Sequence, residues 1–242
     1  MLWTANSSVM NKISSIAILA LSVAFAISPA FAPPFSGFTE SQLPNPQIDP
    51  PVQPAGYAFA IWGVIYIWLI VSALFGIWKR IDADDWHHAR LPLGFSLAIG
   101  VPWIAIANSS AIWATVTIIL MAIGAILALI RAPQRDRWWF QAPVALYAGW
   151  LTAASWVSIA TTMAGYNMLF GAQIWAIIGI TGALCVAYIT LNKRANAPEY
   201  FVSIVWALIG IIVANGAQNL PISALAFGGA LVLIASAVKL RS

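Results

Sequence analysis

The sequence predicts an all-α, polytopic membrane helix bundle with eight transmembrane helices, and three observations carry that prediction. The 242 residues are 62% hydrophobic and only 7% charged, whereas about 25% charged residues is ordinary for a water-soluble domain. The apolar residues form long runs with no charge in their interiors. All eleven Lys and Arg residues lie in gaps between those runs, and always in alternate gaps. The basic gaps hold Lys12, then Lys79, Arg80 and Arg90, then Arg131, Arg135 and Arg137, then Lys193 and Arg194, then Lys239 and Arg241. By the positive-inside rule these gaps and both termini face the cytoplasm, which requires an even number of crossings.

The first helix is expected over about 13 to 32. It resembles a signal peptide, with Lys12 ahead of it and Ala30, Phe31 and Ala32 at its end. Cleavage there would leave Pro33 first, which disfavours the peptidase, and the run is long enough to span, so it is read as a retained helix. Residues 33–55 hold seven prolines with Glu40 and Asp49, too many for a regular helix, and are expected to form an extended lid over the outer mouth. The second helix is expected over about 56 to 78, the third over 91 to 108 and the fourth over 111 to 130. Pro92 suits a first helical turn, and Pro102 should kink the third helix. The remaining helices are placed at about 138 to 163, 168 to 191, 199 to 216 and 221 to 238, joined by short loops that make neighbours antiparallel. Asn196 with Glu199, and Pro198 between them, resembles a capping box opening the seventh helix.

Composition also excludes some function classes. A net charge of +4 is spread over separate loops, which argues for topology-setting charge and against nucleic-acid binding. The one cysteine, Cys185, lies in an apolar run, so no intrachain disulfide forms, and it is read as a small buried hydrophobe. Asp82, Asp84, Asp85, His87 and His88 cluster in one basic-side loop and are read as a solvated turn in preference to a metal site. No histidine lies in a span, so no axial haem pair is expected.

Thirteen tryptophans fall into two populations by depth. Trp78, Trp86, Trp138 and Trp139 lie near the cytoplasmic ends of their helices and read as interfacial anchors. Trp62, Trp68, Trp103, Trp150, Trp156, Trp175 and Trp206 lie deeper, where each indole N–H needs an internal partner or a ligand. Phe59, Trp62 and Tyr66 share one face of the second helix, and Tyr147, Trp150, Ala154 and Val157 share one face of the fifth. Two such ladders either flank a flat apolar ligand or pack on each other as an aromatic core.

These stretches, PAGYAFAIWGVIY (Pro54 to Tyr66) and LYAGWLTAASW (Leu146 to Trp156), resemble the second and fifth helices of the TspO/MBR family of tryptophan-rich sensory proteins. That family's Pro-rich start, aromatic and Trp-x-x-x-Tyr match Pro54, Tyr57, Trp62 and Tyr66. Its Tyr-x-x-Trp-x-x-x-Ala matches Tyr147, Trp150 and Ala154. The chain departs from the family where Ala60 and Ile61 replace a proline and Ser158 replaces an asparagine. The resemblance implies a five-helix TspO-like core over 1–163, capped by the 33–55 loop; the three additional transmembrane helices over 164–242, which have no counterpart in that core, are expected to pack on the same bundle. It also implies a pocket for a large, flat, hydrophobic molecule of the porphyrin or sterol class, lined by Tyr57, Phe59, Trp62, Tyr66, Tyr147, Trp150 and Ala154.

The expected function is therefore that of a non-enzymatic membrane binder and sensor, with no catalytic residue, metal ligand or cofactor. The outer loops offer amides but no Lys or Arg, which favours a neutral ligand. The alternative is an uncoupled transporter or flippase of a neutral hydrophobic solute, since ion-coupled transport wants a charge at depth. Tetrapyrrole-modifying chemistry is disfavoured because no His or carboxylate lies at depth. Expected partners are the hydrophobic small molecule and the lipid bilayer, with no nucleic acid, in a plasma (inner) membrane. Small residues at four-residue spacing, Ala154 with Ser158 and Ala224 with Gly228, permit close helix contact within the bundle or in a homodimer.

Overall fold

The computed structural model describes residues 2–239, which leaves Arg241 of the basic set outside the described residues. The protein is 80% helical, with no strand among the described residues. Among the described residues nine α-helices follow in order: α1 (Leu2–Ile27), α2 (Ile61–Arg80), α3 (Asp84–Gly100), α4 (Trp103–Ser109), α5 (Ala111–Arg131), α6 (Ala142–Gly165), α7 (Ala172–Lys193), α8 (Pro198–Asn215) and α9 (Leu220–Lys239). Seven of the helical segments are each long and apolar enough to cross a bilayer, and α3 with α4, bent by 41°, makes the eighth crossing when taken as one span. The bend falls where Pro102 withholds a backbone donor from the ladder.

Helix α6 is the axis of the bundle. It packs against α2, α5, α7 and α8, while α1 pairs with α2 and α3, and α9 closes the outside of α7 and α8. Its sequence explains that position, because Ala, Gly, Ser and Thr dominate it and let neighbouring backbones come close on every side. At Gly149 a methyl group would lie 2.0 Å from the Tyr200 carbonyl oxygen, so only glycine permits the α6–α8 contact. Hydroxyls join the layers. Thr115 meets Thr162 at 2.8 Å, Ser155 donates to the Ile118 carbonyl, and the Tyr200 hydroxyl meets Thr152 at 2.9 Å.

The two ends of the bundle differ. Every basic residue among those described lies at the end shared by the start of α1 and the end of α9. The other end carries residues 28–60 and the α6–α7 and α8–α9 turns, with no Lys or Arg.

Several local expectations change. Helix α3 starts at Asp84, not near 91, so Pro92 sits inside it. Asp84 and Asp85 occupy its positive first turn, where acids are favoured, and Asn11 of α1 donates to Asp84 at 2.7 Å. Residues 84–88 are thus helical and not a solvated turn. Asn196 does not cap α8. Ala197 is the N-cap, Gln141 donates to the Asn196 carbonyl, and Glu199 pairs with Arg137. Cys185 is exposed on the outside of α7 and is not a core residue. Trp86, expected as an anchor, is 1% exposed, because its indole donates to Asp136 at 2.8 Å.

Candidate ligand-binding site

The chain enters α2 through a tight 3-10 turn, Gly56–Ala60, which carries Tyr57 and Phe59. Trp62 and Tyr66 follow one helical turn apart and stack nearly flat, with centroids 5.3 Å apart and planes at 20°. From α6, Tyr147 and Trp150 approach Trp62, each with centroids at 6.3 Å. Phe25 of α1 fills the remaining space and sits edge-on to Trp62, Tyr66 and Tyr147 at 5.1–5.8 Å. The Tyr147 hydroxyl meets Ser96 at 2.9 Å, and Ser96 donates onward to the Met121 carbonyl. The two ladders therefore face each other, and their rings are in mutual contact.

The open space lies at the lid end of that cluster. A cavity of ≈ 60 Å³ is bounded by Phe59, Trp103, Trp150, Ala154 and Val157, with Ala207 of α8 on its far wall. Of the seven residues expected at the site, Phe59, Trp150 and Ala154 line this cavity. Trp62, Tyr66 and Tyr147 lie in the ring cluster outside it, and Tyr57 is exposed and turned edge-on to Trp206 at 5.5 Å. The sequence reading missed Phe35, Phe38, Trp103, Thr161 and Ala207. Aromatics interrupting a Pro-rich lid, and a tryptophan directly after a kinking proline, were the available signals for the first three. Nothing in the sequence marks Ala207.

The roof consists of two arms of the 33–55 segment. One arm carries Phe35, which meets Phe38 and Trp103 edge-on at 5.7 and 5.3 Å. It is tied to α4 and α6 where Gln42 donates to the Ala107 carbonyl, Asn108 donates to the Pro33 carbonyl and Asn45 donates to the Gly165 carbonyl. The other arm lies on α8. Ala55 N–H donates to the Gly210 carbonyl at 3.0 Å, Asn215 to the Pro51 carbonyl at 2.8 Å, and Trp206 to the Ala58 carbonyl at 2.9 Å. Gly210 has no room for a side chain, since a methyl there would lie 2.8 Å from Pro54 Cβ.

No charged side chain lines the cavity. The buried polar groups on its walls include two without a hydrogen-bond partner, Trp150 Nε1 and Thr161 Oγ1. Both lie on one face of α6, eleven residues or roughly 16 Å of helix apart. A cavity of roughly 150 Å³ takes one benzene, and ligand sites run to roughly 300–1,000 Å³. The space present is therefore smaller than a ligand of that size. Among the described residues no group of three or more His, Cys, Asp and Glu is arranged to hold a metal ion.

The sequence model of the family described as TSPO-like protein matches residues 8–239. The chain belongs to that family. The match runs through α7, α8 and α9 as well as the aromatic ladders, so membership rests on the length of the bundle and not on two short motifs. No curated protein and no solved structure matches the chain. As a TSPO-like protein it is an integral membrane protein embedded in the bilayer.

Proposed function

We propose that this TSPO-like protein is a non-enzymatic binder and sensor of a large, flat, hydrophobic ligand of the porphyrin or sterol class. The observation that carries the reading is the uncharged, aromatic-walled cavity under the lid, at the only place where Phe59, Trp150 and Ala154 come together. Family membership supports a membrane ligand-binding or sensing role in general. In this reading Trp62, Tyr66 and Tyr147 form the floor against which a guest settles, and Tyr57 belongs to the rim. The guest enlarges the cavity by parting the roof. The basic end faces the cytoplasm, residues 1–163 supply the floor and roof, and residues 164–242 supply the far wall through Ala207. The test is titration of the purified protein with protoporphyrin IX dimethyl ester, which carries no carboxylate, while following tryptophan emission. Trp150→Ala and Trp62→Ala are each expected to weaken quenching by at least tenfold in ligand concentration, with helicity unchanged. Unaltered quenching in both would remove this cavity from consideration.

A second reading, uncoupled movement of a neutral hydrophobic solute, is favoured by one observation: the α3–α4 break at Pro102 places Trp103 on the cavity wall. Broken helices beside a cavity are common in transporters. Solute-specific flux into protein-containing liposomes, lost on Trp103→Ala, would promote this reading over the sensor.

A further inference from the structure

A second, open cleft of ≈ 500 Å³ lies at the lid end, between the α8-bound arm of the roof and the α8–α9 turn. Its lining is polar where that of the smaller cavity is apolar. Its walls carry Asp49, Gln53, Asn215, Gln218 and Asn219 among short apolar backbone segments. The two spaces share Gln53 and Pro54, so these two residues are the partition between a polar space and an apolar one.

The partition is weakest at its edge. Pro54 is buried against Gly210 and held by the neighbouring Ala55 bond to α8, but Gln53 reaches the other arm only through one exposed hydrogen bond of 3.3 Å to the Ser36 carbonyl. Gly37 completes the seam at φ +132, a conformation that favours glycine, and a methyl there would lie 2.9 Å from Gln53 Oε1. The bonds that hold each arm to its helix are several, whereas the seam between the arms has this single amide. Charge is one-sided too. Asp49 is exposed, and among the described residues it forms no ion pair and has no Lys or Arg at its end of the bundle to offset it.

We infer that the polar cleft is the antechamber of the apolar cavity, that the route between them opens at the Gln53–Gly37 seam, and that it admits amphiphiles with a neutral or cationic head and rejects anionic ones. This rests on the binder reading for its purpose but not for its test. The apolar body of the guest passes the seam, and its polar head stays among Asp49 and the amides. Carboxylate-bearing guests meet an unpaired carboxylate and no cation, so esters or alcohols are preferred over acids.

The experiment uses the full-length protein in a Cys185→Ser background with Ala154→Cys placing one thiol on the cavity wall. It is reacted with membrane-impermeant methanethiosulfonates bearing a trimethylammonium or a sulfonate group, each rate divided by that with a free thiol. The cationic reagent is expected to be faster by roughly three- to tenfold at low salt, with the ratio shrinking as salt rises. Asp49→Asn should bring the ratio close to one. Gln53→Ala should speed both reagents, and Gln42→Ala, which releases the arm on α4, should speed neither. Equal normalised rates in the parent, or acceleration by Gln42→Ala and not by Gln53→Ala, would overturn the proposal. So would absence of reaction in every variant, with helicity and gel-filtration profile checked throughout. Loss of porphyrin quenching in Trp150→Ala alongside a charge-blind thiol would leave the binder standing and remove this route. The reverse pattern would keep the route and remove the binder.

Discussion

The basic end and the lid end of the same bundle are held by different kinds of bond. At the basic end Asp136 accepts from Arg80 at 2.8 and 3.0 Å and from Trp86 at 2.8 Å, with Arg135 at 3.5 Å beside it. Arg137 pairs with Glu199, and Arg135 with Asp85. Two further guanidinium groups close helix ends: Arg90 donates to the Gly76 and Arg80 carbonyls of α2, and Arg194 to the Leu129 and Ala132 carbonyls at the end of α5. These arginines satisfy orphan carbonyls and sit where the helix dipole favours positive charge. At the lid end the ties are single amide-to-carbonyl hydrogen bonds between neutral groups. Such bonds contribute about 1 kcal/mol each, against about 1.5–3 kcal/mol for hydrogen bonds to charged groups. The charged end of the bundle is therefore the more strongly held of the two.

The contrast can be broken most directly at Asp136. Asp136→Ala strips three donors of their acceptor, the buried Trp86 indole among them, and is expected to cost about 2–3 kcal/mol of stability, read as a lowered unfolding midpoint in detergent. Next comes Gly210→Ala, whose added methyl would sit 2.8 Å from Pro54 and 3.0 Å from Ala58. Overpacking of this kind costs about 1–3 kcal/mol in a rigid core. Here the lid arm can lift, so a loss of about 1 kcal/mol or less, accompanied by faster proteolysis within 48–56, would sharpen the comparison. A Gly210→Ala protein less stable than Asp136→Ala would reverse it.

Much of this division was legible in the sequence, and the rest was hidden for identifiable reasons. Alternation of Lys and Arg between gaps separates the two ends, and runs without charge place the helices, because the bilayer penalises any exception. The burial of Trp86 was not legible, since it depends on a carboxylate fifty residues away in the chain. Helix spacing put Trp62 and Tyr66 on one face and Tyr147 and Trp150 on another, but spacing is silent on whether facing rings touch. Phe25, from a helix that also reads as a leader, fills the gap between them. The far wall is harder still. Ala207 and Gly210 act by being small, and in a chain rich in both residue types smallness carries no mark.

The smallest expected effect is the response to acid, and it too should separate the ends. Burial alone would raise the Asp136 carboxyl, but hydrogen bonds from Arg80 and Trp86 and the charges of Arg80 and Arg135 outweigh it and hold the group below its ordinary value. A carboxyl whose folded value is depressed contributes stability that is fully present above its unfolded value and is lost as pH falls through the folded one. The basic end should accordingly keep its full stability at neutral pH and begin to lose it below about pH 4. No carboxylate ties the lid arms to α4, α6 or α8, so the lid end should not respond in that window. Amide exchange followed by mass spectrometry at pH 5 and pH 3, corrected for intrinsic rates, should show added exposure around 80–86 and 132–137 but not around 48–58. Asp136→Asn should abolish the difference at the basic end. Equal acid loosening of the lid would mean that the two ends share one network after all.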